Sequence, residues 1–243
     1  MDCECFHKSA RGRASHPHDD EQIMKKVSES TVARLSVYLR LLNEVSATGV
    51  VTLASEELAR RCGTSAAQVR KDLSFFGTFG KRGLGYSVPE LTAALRQILG
   101  LERRWRVALI GAGKIGEALM AYQDFRRQGF DIVAVFDTDE AKIGVDWNGQ
   151  VVQADAELPR CLKGIDIAIV AVPGEAAQGV VDRVVAAGVR AILNFAPVKL
   201  NVPDHVAVKT VNMALELEGL SYALVNEARR SRRVTSRPAA SRG

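Results

Sequence analysis

The spacing of apolar positions changes twice along the chain. Residues 1–30 show no sustained apolar period and are rich in Ser, His, Asp and Lys, so a disordered leader is expected. Residues 31–49 carry Val32, Leu35, Leu39 and Leu42 at helical spacing, with Thr31 as the expected N-cap. A short β-prone run at 50–53 leads to a second helix capped by Ser55, with Glu56 and Glu57 in its first turn and Gly63 as its stop. Thr64 or Ser65 caps a third helix whose inner face is Val69, Leu73 and Phe76. Two short helices joined by a tight glycine turn predict a helix-turn-helix. Residues 78–88 then read as a hairpin with a basic, glycine-rich tip, a wing, and Pro89 opens a fourth helix with Leu91, Leu95, Ile98 and Leu99 inside.

From Arg106 the pattern becomes an alternation of buried-type strands (106–110, 130–136, near 151, 167–172, 189–195, 206–211) with helices, which predicts a parallel sheet. One helix is expected up to Gly129, another over 175–187, and a last one over 214–225. The expected fold class is α/β: an N-terminal winged helix-turn-helix domain, a Rossmann-type parallel-sheet domain and a C-terminal helix. The expected boundaries are 1–30, 31–104, 105–211, 212–228 and, for a basic disordered tail, 229–243.

Charge sharpens this division. The net charge of +5 resolves into −1 over residues 1–30, +5 over 31–104, −5 over 105–228 and +6 over the arginine tail, so the first folded unit suits a polyanion and the second does not. No apolar stretch approaches the roughly 18 residues of a membrane span and no signal peptide is visible, so a cytoplasmic protein is expected. Cys3 and Cys5, with His7, His16 and His18, match no tetrahedral zinc spacing, and no metal is expected. Cys62 and Cys161 lie in apolar-patterned segments and read as small core residues.

Gly111, Ala112, Gly113, Lys114, Ile115 and Gly116 follow the first strand directly and open a helix, the setting a dinucleotide-binding turn requires. Gly111 permits the tight turn, Gly113 lets backbone approach a pyrophosphate, and Gly116 lets helix pack on strand. Asp137 ends the second strand, where a carboxylate accepts hydrogen bonds from ribose hydroxyls and repels a 2′-phosphate. With no arginine beside it, NAD(H) is expected over NADP(H). Val172 and Pro173 end the fourth strand, where loops reach a ligand.

On a helical wheel the third helix turns Ala67, Lys71 and Ser74 outward, flanked by Gln68, Arg70 and Phe75. Lysine and arginine bond guanine acceptors or phosphates, and Lys81 and Arg82 on the wing suit a minor groove or its phosphates, so double-stranded DNA is the expected partner.

These strings resemble the Rex family of redox-sensing transcriptional repressors, over about residues 30–225. The resemblance is carried by Gln68-Val69-Arg70-Lys71-Asp72-Leu73-Ser74, by Gly80-Lys81-Arg82-Gly83-Leu84-Gly85-Tyr86, by the glycine turn and by Asn194-Phe195-Ala196-Pro197. It implies a homodimer that binds operators of fermentation and respiration genes when NAD⁺ prevails and releases them as NADH accumulates. It further implies that Tyr122 lies near the nicotinamide, that Arg40, Asn212 and Met213 serve coupling between domains, and that the last helix is exchanged between subunits. Family members often carry an acid at the position of Asn212, and an asparagine forms no charged pair with Arg40.

The resemblance implies a sensed ligand rather than a coenzyme of catalysis. A dehydrogenase with an appended winged helix would need a second domain supplying a proton-transfer residue, and His205 is the only histidine beyond residue 18. A CoA-binding domain of the CoA-ligase type shares the glycine-rich start but gives no reason for Asp137 or the basic wing. A regulator, not an enzyme, is therefore expected.

Overall fold

The computed structural model describes residues 27–81 and 83–235, with the backbone alone from 228 onward. The expected disorder of 1–26, the cysteines and histidines of the leader, Arg82 on the wing and the final residues 236–243 lie outside the described residues. The chain divides into two compact units between Glu102 and Arg103.

The first unit begins with α1 (Glu29–Ala47), which starts earlier than Thr31 because Ser28 supplies the cap, its hydroxyl accepting the Thr31 amide. The buried stripe is Leu35, Tyr38, Leu39, Leu42 and Val45, whereas Val32 is exposed. Helix α2 (Ser55–Arg61) has Ala54 at its N-cap instead of Ser55, whose hydroxyl is engaged by Arg70 and Glu56. After Gly63, Ser65 caps α3 (Ala66–Ser74) by accepting the Gln68 amide. Strand β1 (Thr52–Leu53) pairs antiparallel with β2 (Tyr86–Ser87), and α4 (Val88–Ile98) follows, capped by Ser87. The wing is thus held against β1, not closed on Phe79, and at its tip Lys81 bridges to Gly85. Gly85 has φ +80, and a Cβ there would stand 2.5 Å from the Leu53 carbonyl oxygen, so the base of the wing needs glycine. One apolar core joins α1, α2, α3, α4 and Tyr86, with Cys62 half-buried against it.

The second unit holds a seven-stranded sheet in the order β5-β6-β4-β3-β7-β8-β9. Its strands are β3 (Trp105–Ile110), β4 (Phe130–Asp137), β5 (Asp146–Trp147), β6 (Gln150–Ala154), β7 (Ile167–Val170), β8 (Ala191–Asn194) and β9 (Ala207–Thr210). All neighbours run parallel except the β5–β6 hairpin. Period-two alternation buries both faces. Val107, Leu109 and Val135 meet α5 (Lys114–Ala121) and α6 (Asp124–Arg127) through Leu119 and Phe125. Ala108, Ile110 and Phe136 meet α7 (Leu158–Cys161), with Cys161 half-buried, and α8 (Gly174–Ala186). Burial on both faces is the condition for parallel strands, and each such large side chain contributes about 1.5–3 kcal/mol.

Two further expectations differ from the structure. The single helix predicted up to Gly129 is broken at Tyr122, whose ψ of 94° leaves the helical region and lets Phe125 join the core. The last helix, α9 (Met213–Thr235), runs further than 225 and takes in part of the arginine-rich segment expected to be disordered. Arginine is a good helix former and suits the negative end of the helix dipole. Among the described residues no helix is long and apolar enough to cross a membrane.

Candidate functional site

Strands β3 and β7 are adjacent, and the chain leaves β3 toward β4 and β6 on one side while β7, β8 and β9 lie on the other. Such a reversal is where ligands sit in open α/β sheets. The glycine turn occupies it. Gly111 has φ +103, and a Cβ there would collide with the Ala171 carbonyl oxygen while lying 3.1 Å from Val172, so this turn packs on the β7–α8 loop that carries Val172 and Pro173. Gly113 is the N-cap of α5, with open space where a side chain would stand, and Lys114 and Ile115 in the first turn are exposed. The first amides of α5 have no partners within the helix and present partial positive charge to that space.

Asp137 reaches this turn. Its Oδ2 accepts the Ala112 amide at 2.6 Å and its Oδ1 the Asp139 amide at 2.8 Å. Burial pushes its carboxyl up, but these amides and Lys142 win and hold it below the usual carboxylate range, so it stays ionised. The Lys142 ammonium, 3.5 Å from Asp137 and 3.4 Å from Asp139, was not visible in the pattern: no arginine stands beside Asp137, yet a lysine five positions on does. Tyr122 is half-exposed and packs edge-on against Phe125 at 5.0 Å. The eight residues of α5 separate it from the turn, by about 12 Å at the ~1.5 Å rise of a helix. A cavity of about 1000 Å³ opens beside Tyr122 at the amino-terminal half of β4, lined also by Arg104, Arg126 and Asn148, and it reaches neither the glycine turn nor Asp137.

In the first unit, α3 keeps Val69, Asp72 and Leu73 inside and exposes Ala67, Arg70, Lys71 and Ser74. Arg70 donates to Ser55 at 2.9 Å and lies 3.3 Å from Glu56, both in exposed geometry that a phosphate can replace, and Ser74 donates to the Lys71 carbonyl. Gln68 is placed differently from the wheel: its side-chain amide donates to Asp72 at 2.8 Å. Lys81 is exposed on the wing. Asp72 itself was missed, because a helical wheel flags apolar positions and gives no sign that an acid is buried with partners from another helix. Arg40 is exposed on α1.

In the second unit, Asn212 accepts the amides of Ala214 and Leu215 and so caps α9, which an aspartate does equally well. Met213 begins α9 and is exposed. Asn194 is fully buried and closes the loop after β8, donating to the Ala196 and Val198 carbonyls and accepting the Ala196 amide. Its place in the Asn194-Phe195-Ala196-Pro197 string is therefore structural.

Comparison with known proteins adds the relationship. Residues 26–74 match a family described as putative DNA-binding protein N-terminus, and residues 102–198 one described as CoA binding domain. The redox-sensing transcriptional repressor Rex of Pelotomaculum thermopropionicum is 47% identical over 204 residues, covering 83% of this chain and 96% of the relative. That of Thermus thermophilus is 46% identical over 202 residues, 83% of this chain and 95% of the relative. The crystal structure of RSP, a Rex-family repressor, in complex with NAD⁺ and operator DNA superposes with a TM-score of 0.80 at 36% identity, covering 88% and 99% of the two chains. The same repressor in complex with NADH gives a TM-score of 0.78 at 34% identity, covering 85% and 98%. With such identity across more than four-fifths of its length, the chain belongs to the Rex family of redox-sensing transcriptional repressors.

Proposed function

We propose that this protein is a repressor that reports the NADH/NAD⁺ ratio: its winged helix, residues 31–104, binds operator DNA, its Rossmann domain, residues 105–211, binds NAD(H) as a sensed ligand, and NADH releases the operator. The observation that carries this reading is one chain holding both an outward basic face on α3 and an acid hydrogen-bonded into a strand–glycine turn–helix. The solved relative with NAD⁺ and operator DNA supports it. Lys71, Arg70 and Ser74 face the major groove, and Lys81 and Arg82 meet the backbone or the minor groove. Gln68 contributes through Asp72. The open space at Gly113 takes the pyrophosphate, Asp137 the adenine ribose and the 172–173 loop the middle of the cofactor; Tyr122, at the far end of α5, is assigned to the nicotinamide by the family resemblance alone. Bound NAD(H) supplies a redox-dependent charge and ring shape; the chain's own residues bind and orient it, and no catalysis is assigned. Lys142 beside Asp137 reduces the repulsion of a 2′-phosphate, so the preference for NAD(H) over NADP(H) rests on shape as well as charge. The coupling is assigned to Arg40, Asn212 and Met213.

Two copies are needed to read a palindrome, because recognition helices must stand one or more helical turns apart. Met213, Leu217, Leu220 and Leu224 form one exposed stripe on α9, and Leu215 and Tyr222 are exposed on its opposite face. An apolar helix face of this length is covered by a partner, and we assign it to the second subunit of a homodimer.

A gel-shift titration tests the reading, using a duplex that the parent protein enriches from a random pool. NADH is expected to release the duplex, whereas NAD⁺ and CoA are not. Lys71→Ala is expected to weaken the specific complex by about 1–3 kcal/mol. Equal affinity of the parent for enriched and scrambled duplexes removes the repressor reading, and release by CoA alone would favour the CoA-binding alternative.

A further inference from the structure

The buried carboxylate of Asp72 lies one residue from Lys71 on the recognition helix and points the other way. It is 0% exposed. Arg34 on α1 clasps it with two parallel bonds, Nε to Oδ2 at 2.6 Å and Nη2 to Oδ1 at 2.7 Å. The Tyr38 hydroxyl, also from α1, donates to Oδ2 at 2.9 Å, and Gln68, one turn earlier on α3, donates to Oδ1 at 2.8 Å. Arg34 is itself held by the Thr31 hydroxyl at 3.1 Å. A carboxylate has about four acceptor sites, and all four are filled.

Apolar packing of Val69 and Leu73 holds α3 against the core, but the hydrophobic driving force itself carries no direction. A bidentate guanidinium–carboxylate pair does, because both of its bonds lose geometry together. The magnitude decides why that matters. Side-chain tips stand about 6 Å from a helix axis, so a rotation of about 10° moves them by about 1 Å, and hydrogen bonds hold only over a range of roughly 0.5 Å. Bonds from Lys71 or Ser74 to base edges would be lost by such a turn, whereas contacts to the more accommodating phosphates would survive.

We propose that Asp72 is a positioning residue for operator reading: held by Arg34, Tyr38 and Gln68, it fixes the rotational setting of α3 and so sets sequence specificity without touching DNA. This rests on the repressor reading above. A buried ion pair is weak evidence for stability, and its best-attested use is to select one arrangement among several.

The test is the ratio of affinities for the enriched duplex and its scrambled counterpart, measured by fluorescence anisotropy over a salt series, with thermal unfolding beside it. Asp72→Asn keeps the shape, removes the charge and is expected to lower that ratio at least tenfold, while affinity for the scrambled duplex holds or rises because one negative charge has gone. Tyr38→Phe, which removes one bond of the four, is expected to lower the ratio less and to unfold near the parent temperature. Should Asp72→Asn fail to fold, the double variant Arg34→Met, Asp72→Leu fills the site with apolar volume; it is expected to fold and still to discriminate poorly. A parent-like ratio in Asp72→Asn or in the double variant overturns the proposal. So does an equal fall for both duplexes in step with lost stability, which marks a purely structural role. A parent that itself shows no preference between the duplexes defeats the repressor reading and this proposal with it, whereas a parent-like ratio in the variants defeats this proposal alone.

Discussion

The Gly113→Ala protein is expected to fold like its parent and to lose NADH. Nothing stands within 4 Å of the added Cβ, and the backbone there is in an ordinary region, so the change to the empty protein is that alanine is a poorer N-cap for α5, costing about 1 kcal/mol at most. The same methyl occupies the space in front of the first α5 amides. Forcing a packed contact apart costs about 1–3 kcal/mol, which at about 1.4 kcal/mol per tenfold is a five- to 150-fold loss of NADH affinity by calorimetry. Gly116→Ala separates the two effects. Its Cβ collides with the Gly111 carbonyl oxygen, a backbone atom that cannot swing aside, so the helix must lift off the turn and the unit is expected to unfold at a clearly lower temperature. Asp137 is a less clean probe, because it also ties down Ala112, Asp139 and Lys142; Asp137→Asn is preferable to Asp137→Ala. Parent-like NADH binding by Gly113→Ala would remove the dinucleotide reading.

The second large effect belongs to α9. Replacing Leu217, Leu220 and Leu224 together by glutamate puts three charges on the stripe that runs from Met213, and a buried, unpaired carboxylate is not tolerated in an apolar contact. Sedimentation is expected to show a dimer for the parent and a monomer for the variant. Binding through one half-site forfeits the effective concentration that the second provides, so operator affinity is expected to fall by roughly 100- to 10 000-fold. NADH affinity then reports whether the cofactor site needs the partner. A triple variant that sediments as a dimer would show that the stripe is not the contact.

The parts legible in the sequence are those where one local cause dominates. The glycine turn was readable because three glycines each answer a separate steric demand, and the structure puts Gly111 against Ala171, leaves Gly113 open and seats Gly116 on the turn. The βα order followed from alternation that buries both faces of a parallel sheet. What was not legible depends on partners distant in sequence. Asp72 read as an ordinary polar position and Gln68 as part of the DNA face, since the Arg34 and Tyr38 that claim Asp72 lie 38 and 34 residues away and Gln68 is drawn to that buried carboxylate. Lys142 escaped notice because its approach to Asp137 depends on the turn after β4. The capping errors have the same origin. Ser55 looks like a cap until Arg70 engages its hydroxyl, and Thr31 until Ser28 takes the role.

Redox sensing requires more than two binding sites on one chain. NADH acts on DNA binding only through a difference in its affinity for the DNA-bound and free protein, and linkage makes that effect reciprocal. The direct measurement is the NADH affinity of the parent by calorimetry, with and without saturating enriched duplex. Saturating operator is expected to weaken NADH binding by roughly 5- to 150-fold, the range of a coupling of about 1–3 kcal/mol, and to weaken NAD⁺ binding less or not at all. Identical NADH affinities in the two titrations would contradict the account, because the two sites would then be uncoupled.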